Sequence, residues 1–117
     1  MRLALVLLLS LTLAAEEPRP TFTCGIRSKI NRGRFGTVAR ILCTSRHTNG
    51  IPEWRLFGAD EDMLTDFDTS RQFEFVAPDE WRLLEMRAVD AEGTEVRARV
   101  WVRVYSGQVE WAKYGNE

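Results

Sequence analysis

The chain has 117 residues, and 16 Lys+Arg stand against 17 Asp+Glu for a formal net charge of -1. That balance excludes a nucleic-acid binder held by bulk positive charge. A hydrophobic content of 44% with 28% charged residues excludes a disordered chain and points to one compact domain, and two cysteines are too few for a disulfide-dense miniprotein or a four-cysteine zinc site.

Residues 3–13 form an apolar run preceded by Arg2 and followed by Ala14 and Ala15. This is the grammar of a signal peptide. The run is shorter than the ~20 apolar residues a spanning helix needs, and Glu16, Glu17 and Pro18 end it. A leader over 1–15 is expected, cleaved after Ala14 or Ala15, giving a secreted product with no membrane span once the leader is removed. Asn31, Asn49 and Asn116 lack the Ser or Thr of a glycosylation acceptor.

Beyond the leader, period-two alternation between Gly, Pro, Asn and Asp clusters predicts an all-β chain. A first strand is expected over 21–26, followed by a basic glycine-containing loop over 27–35. The second, over 36–44, puts Ala39, Ile41 and Cys43 on one face and Val38, Arg40 and Leu42 on the other. A turn around His47 leads to a strand over 52–57 carrying Trp54 and Leu56. The acidic stretch 58–70 reads as loop with a short strand over 63–66. Phe73 and Phe75 alternate inward in 72–76, and the longest strands are expected over 81–89 and 94–105.

The register of those last two can be worked out. Inward Leu84, Met86 and Ala88 must face Val100, Ala98 and Val96, and each pair of numbers sums to 184. The same sum opposes Asp90 to Thr94 and leaves Ala91, Glu92 and Gly93 as a three-residue loop with glycine at its left-handed position. A one-residue slip would set Ala88 against Glu95. About seven strands in a domain of this size imply a two-sheet β-sandwich over 16–105. The tail 106–117, with Val109, Trp111 and Tyr114, either folds back on the domain or docks on a partner.

Cys43 preceded by Ile41, Trp54 eleven places on, and the sequence Ala88-Val89-Asp90-Ala91-Glu92-Gly93 resemble an immunoglobulin-superfamily domain; polycystic-kidney-disease-type sandwiches are a close competitor. The resemblance implies a core of Trp54, Leu84, Met86 and Ala88. Met86 stands where such domains carry their second bridging cysteine, and Leu84 where they carry the corner tyrosine. With that partner replaced, Cys43 has Cys24 available, and an exported chain favours the bridge. The alternative is a buried free Cys43 with Cys24 pairing to another chain.

Catalytic chemistry finds little footing. His47 is the single histidine and lies in a turn, and the exposed Asp60 and Asp62 give no reason for a raised pKa. No enzyme and no cofactor are expected. Asp60, Glu61, Asp62, Asp66 and Asp68 could offer oxygens to calcium, although their spacing matches no calcium loop and a solvated acidic edge is the favoured reading.

Two recognition surfaces remain. Arg27, Lys29, Arg32 and Arg34 place four cations in one stretch that could contact a sulfated glycan. On the last strand, Arg97, Arg99, Trp101, Arg103 and Tyr105 point away from the inward valines, and the register adds Trp81, Leu83 and Glu85 beside them. Trp and Arg are over-represented at interface hot spots. The sequence therefore predicts a secreted binding module that engages an extracellular or cell-surface protein through Trp81, Leu83, Arg97, Arg99, Trp101 and Arg103. A homodimer is among the assemblies this face allows. A self-contained Arg/Trp/Glu ladder that merely covers the sheet weighs nearly as much. The alternative function is an extracellular structural or sulfated-glycan-binding module, and a hydrolase inhibitor is a third class.

Overall fold

The computed structural model describes residues 19–65 and 67–115; the leader expected over 1–15 lies outside them. Eight strands run in order: β1 (Thr21–Asn31), β2 (Thr37–Arg46), β3 (Glu53–Phe57), β4 (Asp68–Thr69), β5 (Gln72–Ala77), β6 (Arg82–Val89), β7 (Glu95–Tyr105) and β8 (Gln108–Lys113). They form two antiparallel sheets, one of three strands ordered β1-β2-β5 and one of five ordered β4-β3-β6-β7-β8. The chain crosses between sheets after β2, after β4 and after β5, so each sheet interleaves strands distant in sequence.

Alternation dictates the packing. Ala39, Ile41 and Cys43 of β2, Phe73, Phe75 and Ala77 of β5, Trp54 and Leu56 of β3, Leu84, Met86 and Ala88 of β6, and Val102 and Val104 of β7 fill the space between sheets. Trp54 is fully buried. Its ring stacks on Phe73 at 5.7 Å and meets Phe22 edge-on at 5.5 Å, and its indole N–H donates to the Ser70 carbonyl at 2.7 Å. A buried indole donor without that acceptor would cost a hydrogen bond's desolvation, about 1–3 kcal/mol. Trp54, Leu84, Met86 and Ala88, expected in the core, are all buried in this cluster.

The β6–β7 hairpin has the register derived above: Leu84 opposes Val100, Met86 opposes Ala98, and Ala88 opposes Val96. Gly93 holds φ +85° at the predicted left-handed position, while the Asp90 carboxylate accepts from the Glu92 and Thr94 amides at 2.9 Å. Cys24 and Cys43 are direct cross-strand neighbours and form a disulfide.

Two expectations need correction, and one left open is resolved. The stretch 27–35 is not one loop, because β1 continues through Asn31 and pairs with the start of β2; Arg27 falls at a bulge between Ile26 and Ser28. The bulge reverses the faces, so Lys29 turns to the inner side and donates to the Gly107 carbonyl at 2.9 Å. Met63 makes an isolated bridge to Phe57, and the short strand expected over 63–66 lies instead at Asp68–Thr69. Of the two alternatives left open for the tail, residues 108–113 take the fold-back: they form β8 and extend the larger sheet beside β7.

Candidate functional site

The outer face of the five-stranded sheet carries the residues singled out for recognition, and the ladder arranges them in rows across the strands. Glu53, Arg87 and Arg97 form one row. Arg55, Glu85 and Arg99 form the next; Phe57, Leu83, Trp101 and Ala112 the third; Arg103 and Glu110 the fourth. Rows arise because opposed residues of an antiparallel pair share a face.

Much of this face is spoken for internally. Glu85 is 2% exposed, and its carboxylate accepts from Arg55 Nε at 2.7 Å, with Arg97 Nη1 at 3.9 Å. Arg87 pairs with Glu53 at 2.8 Å, and Arg103 with Glu110 at 2.7 Å. Phe67 lies under the guanidinium groups of Arg55 and Arg87, 4.3 and 4.0 Å from its centroid. Arg99, which the register opposes to Glu85, instead sits 4.6 Å over the Tyr114 ring. These contacts are the Arg/Trp/Glu ladder weighed against recognition, and they account for most of the cations.

Leu83 corrects the sequence reading. It is on the outer face, as the register requires, but only 3% exposed, so it is covered and offers a partner little surface. Alternation assigns a face and says nothing of what covers it. Trp101 lies outside the sandwich yet half-buried, with Tyr114 at 6.1 Å.

Where the third and fourth rows meet, the sheet leaves an apolar slot of about 190 Å³ lined by Ala59, Trp81, Trp101 and Ala112. Each wall has a cause. Ala112 opposes Trp101 in the ladder, and its single methyl leaves room beside the indole. Trp81 is held by the Arg103 guanidinium at 4.5 Å from its ring, and that guanidinium is itself fixed by Glu110. Ala59 arrives on the turn closed by the Gly58 amide donating to the Asp62 carbonyl at 2.8 Å. Tyr114 donates to Glu61 at 2.7 Å and so ties the end of the chain to that same turn. The sequence pointed to Trp81, Trp101 and Arg103 but missed Ala59, Ala112 and Tyr114. The last two were detectable in the alternation of Val109 and Trp111 behind the Ser106-Gly107 turn.

The turn beside the slot carries a carboxylate pair. The Asp62 amide and carboxyl both bond to the Asp60 carboxylate and lower its pKa, whereas Asp62 is raised, first by the hydrogen bond it makes to Asp60 and then by that neighbour's charge. The expectation that nothing would raise a pKa here is therefore corrected, although both groups are fully exposed. Among the described residues, no three or more His, Cys, Asp or Glu side chains are gathered as a metal site; Asp66 is outside the described set.

The four cations of the basic stretch are not brought together as one array. Lys29 is tied inward to Gly107, Arg34 lies 5.2 Å over Phe35, and Arg32 belongs to the turn after β1. His47 is exposed at φ +60° on a polar cleft with Thr44, Ser45, Thr48 and Arg71. The Ser45 and Thr48 hydroxyls there donate to the Arg71 and Gly50 carbonyls. Comparison with family models, with curated proteins and with solved structures returned no match. The two-sheet antiparallel sandwich and its cross-strand disulfide are what the geometry establishes.

Proposed function

We propose that the chain is a secreted, non-enzymatic recognition module of immunoglobulin-superfamily type that binds an extracellular or cell-surface protein through the outer face of β6, β7 and β8. The observation that carries this reading is the Trp81/Trp101 slot, an apolar recess on an otherwise ion-paired face. Its ~190 Å³ is below the ~300 Å³ where small-molecule pockets begin, and suits one inserted side chain of a larger partner. Aromatic anchors walled by packed neighbours are where binding energy concentrates. Arg103, stacked on Trp81, then holds one wall of the slot, and Arg97 and Arg99 offer polar contacts on the same face around it.

The strand order supports the family likeness: the first, second and fifth strands face a sheet in which the third, sixth and seventh are consecutive neighbours. The disulfide supports export, because such bonds persist in oxidising compartments. In the alternative, glycan-binding reading, Arg27, Arg32 and Arg34 act from the exposed hairpin that β1 and β2 extend beyond the core.

The test is to measure a captured extracellular partner against Ala112→Phe, which fills the slot without removing a packing group, and against Trp81→Ala. Each should weaken binding about tenfold or more, equivalent to about 1.4 kcal/mol, with thermal unfolding nearly unmoved. Unchanged affinity in both variants refutes the slot. Salt-dependent heparin retention abolished by neutralising Arg27, Lys29, Arg32 and Arg34 would favour the alternative.

A further inference from the structure

The larger sheet ends at β8, which among the described residues pairs with β7 alone. Ser106 and Gly107 both hold positive φ, 53° and 77°, the signature of a two-residue type I′ hairpin loop. Such a loop closes on Tyr105 and Gln108 as a hydrogen-bonded pair. Alternation then aims the backbone groups of Gln108, Glu110 and Ala112 at β7. It leaves those of Val109, Trp111 and Lys113 facing outward along the edge. The same three residues turn their side chains to the inner face, where the seam between β1 and β8 is open. Trp111 is 42% exposed there, beside an apolar cavity of about 290 Å³ lined by Phe22, Cys24, Val100 and Trp111.

Free edges are ordinarily blunted by bulges, prolines, brevity or charged side chains. β1 has its bulge at Arg27, β4 is two residues long, and β5, the other edge of the smaller sheet, carries Glu74 and stops at Pro78. β8 has a regular six-residue ladder with no proline and no bulge, and its one inward-facing charge, Lys113, is the last residue of the strand.

We propose that β8 is a dimerisation strand, pairing antiparallel with β8 of a second copy across a twofold axis that sets Trp111 opposite Trp111 of the second copy. The strand is self-complementary in this register. Val109 opposes the second copy's Lys113, and Glu110 opposes the second copy's Ala112, so no like charges meet. Lys113 falls diagonal to the facing indole, within reach of a cation-π contact. A shift by two in one direction would oppose the two Glu110 carboxylates. A shift in the other would leave only residues 111–113 paired. An isologous contact of this kind closes on itself and stops at two copies.

The dimer has a continuous ten-stranded sheet. Both Trp81/Trp101 slots open on one face of it, with the two Trp101 positions three strand spacings apart and offset by two residues along the strands, about 16 Å. The pairing stands independently of what the slots bind.

Sedimentation velocity on the mature protein should show a dimer by about 100 µM, a weak-to-moderate affinity. Lys113→Pro, which removes an edge-facing amide, and Trp111→Lys should both give monomers with unchanged β-sheet circular dichroism. Trp111→Cys should cross-link to itself under mild oxidation, whereas Glu110→Cys and Ala112→Cys should not. Amide exchange at Val109, Trp111 and Lys113 should be slow in the wild-type dimer. A wild-type monomer throughout, a dimer that survives both edge variants, or cross-linking through 110 or 112 in place of 111 would overturn the proposal. Should either edge variant fail to fold, the cross-linking pattern and the wild-type exchange rates still decide.

Discussion

Removing the Glu85 carboxylate tests whether the outer face is a structural layer or a solvated decoration. Glu85 is 2% exposed, and its side chain lies between Arg55, whose side chain is 19% exposed, and Arg97, at 41%. Breaking a buried ion pair by deleting one partner costs about 3–5 kcal/mol, because the other charge stays in low dielectric. Arg55 is partly wet and Arg97 more so, and both can turn towards water, so Glu85→Ala should cost about 2–3 kcal/mol. For a domain near 100 residues this lowers the melting temperature by about 10–20 °C. Glu85→Gln keeps the volume and one acceptor for Arg55 Nε, and should cost about 1–2 kcal/mol. The double variant Arg55→Leu/Glu85→Leu, whose new methyls would pack beside Phe57 and Phe67, should recover most of the loss. Urea unfolding at low and high salt is the assay, with little salt dependence expected for a pair this enclosed. A loss below about 0.5 kcal/mol for Glu85→Ala, the worth of an exposed pair, would refute the reasoning.

Replacing both cysteines by alanine should lower stability by about 3 kcal/mol in the chain-entropy account for a separation of 19 residues, read as a fall in the urea midpoint; an unmoved midpoint would show that the strand pairing needs no bridge. At the Gly58–Asp62 turn, carbon-13 titration should find the Asp62 carboxyl above the ordinary aspartate range and Asp60 below it. Relative to the unfolded chain, Asp62 contributes stability present in acid and lost as pH rises through its raised pKa. Asp60 contributes stability present above the ordinary range and lost as pH falls through its lowered one. Asp60→Asn should return Asp62 to the ordinary value, and an Asp62 that stays raised in that variant would exclude the pair as the cause.

The sandwich was legible where a strand faces core on one side and solvent on the other. Leu84, Met86 and Ala88 against Val100, Ala98 and Val96 admitted one register, since a slip would have buried Glu95. Edges were less legible. β1 continues through Ile30 and Asn31 with both faces wet, so no alternation announced it, and its bulge at Arg27 leaves no mark in composition. β8 does alternate, but at the end of the chain its few residues gave too short a pattern to choose between strand and tail.

Two tryptophans show where sequence stops and tertiary structure takes over. Alternation put Trp54 and Leu56 on one side of their strand, and the likeness to immunoglobulin-type sandwiches implied that this side faces inward, where a large apolar surface leaves water. Trp101 could be assigned to the opposite side of its sheet by the same rule. That Trp101 stands half-covered, opposite a buried Leu83 and beside a recess bounded by Ala59 and Ala112, was decided by the meeting of the 58–62 turn, β6 and β8. Periodicity is local and fixes which face a side chain takes. The cover on that face comes from segments tens of residues away, and only the folded chain brings them together.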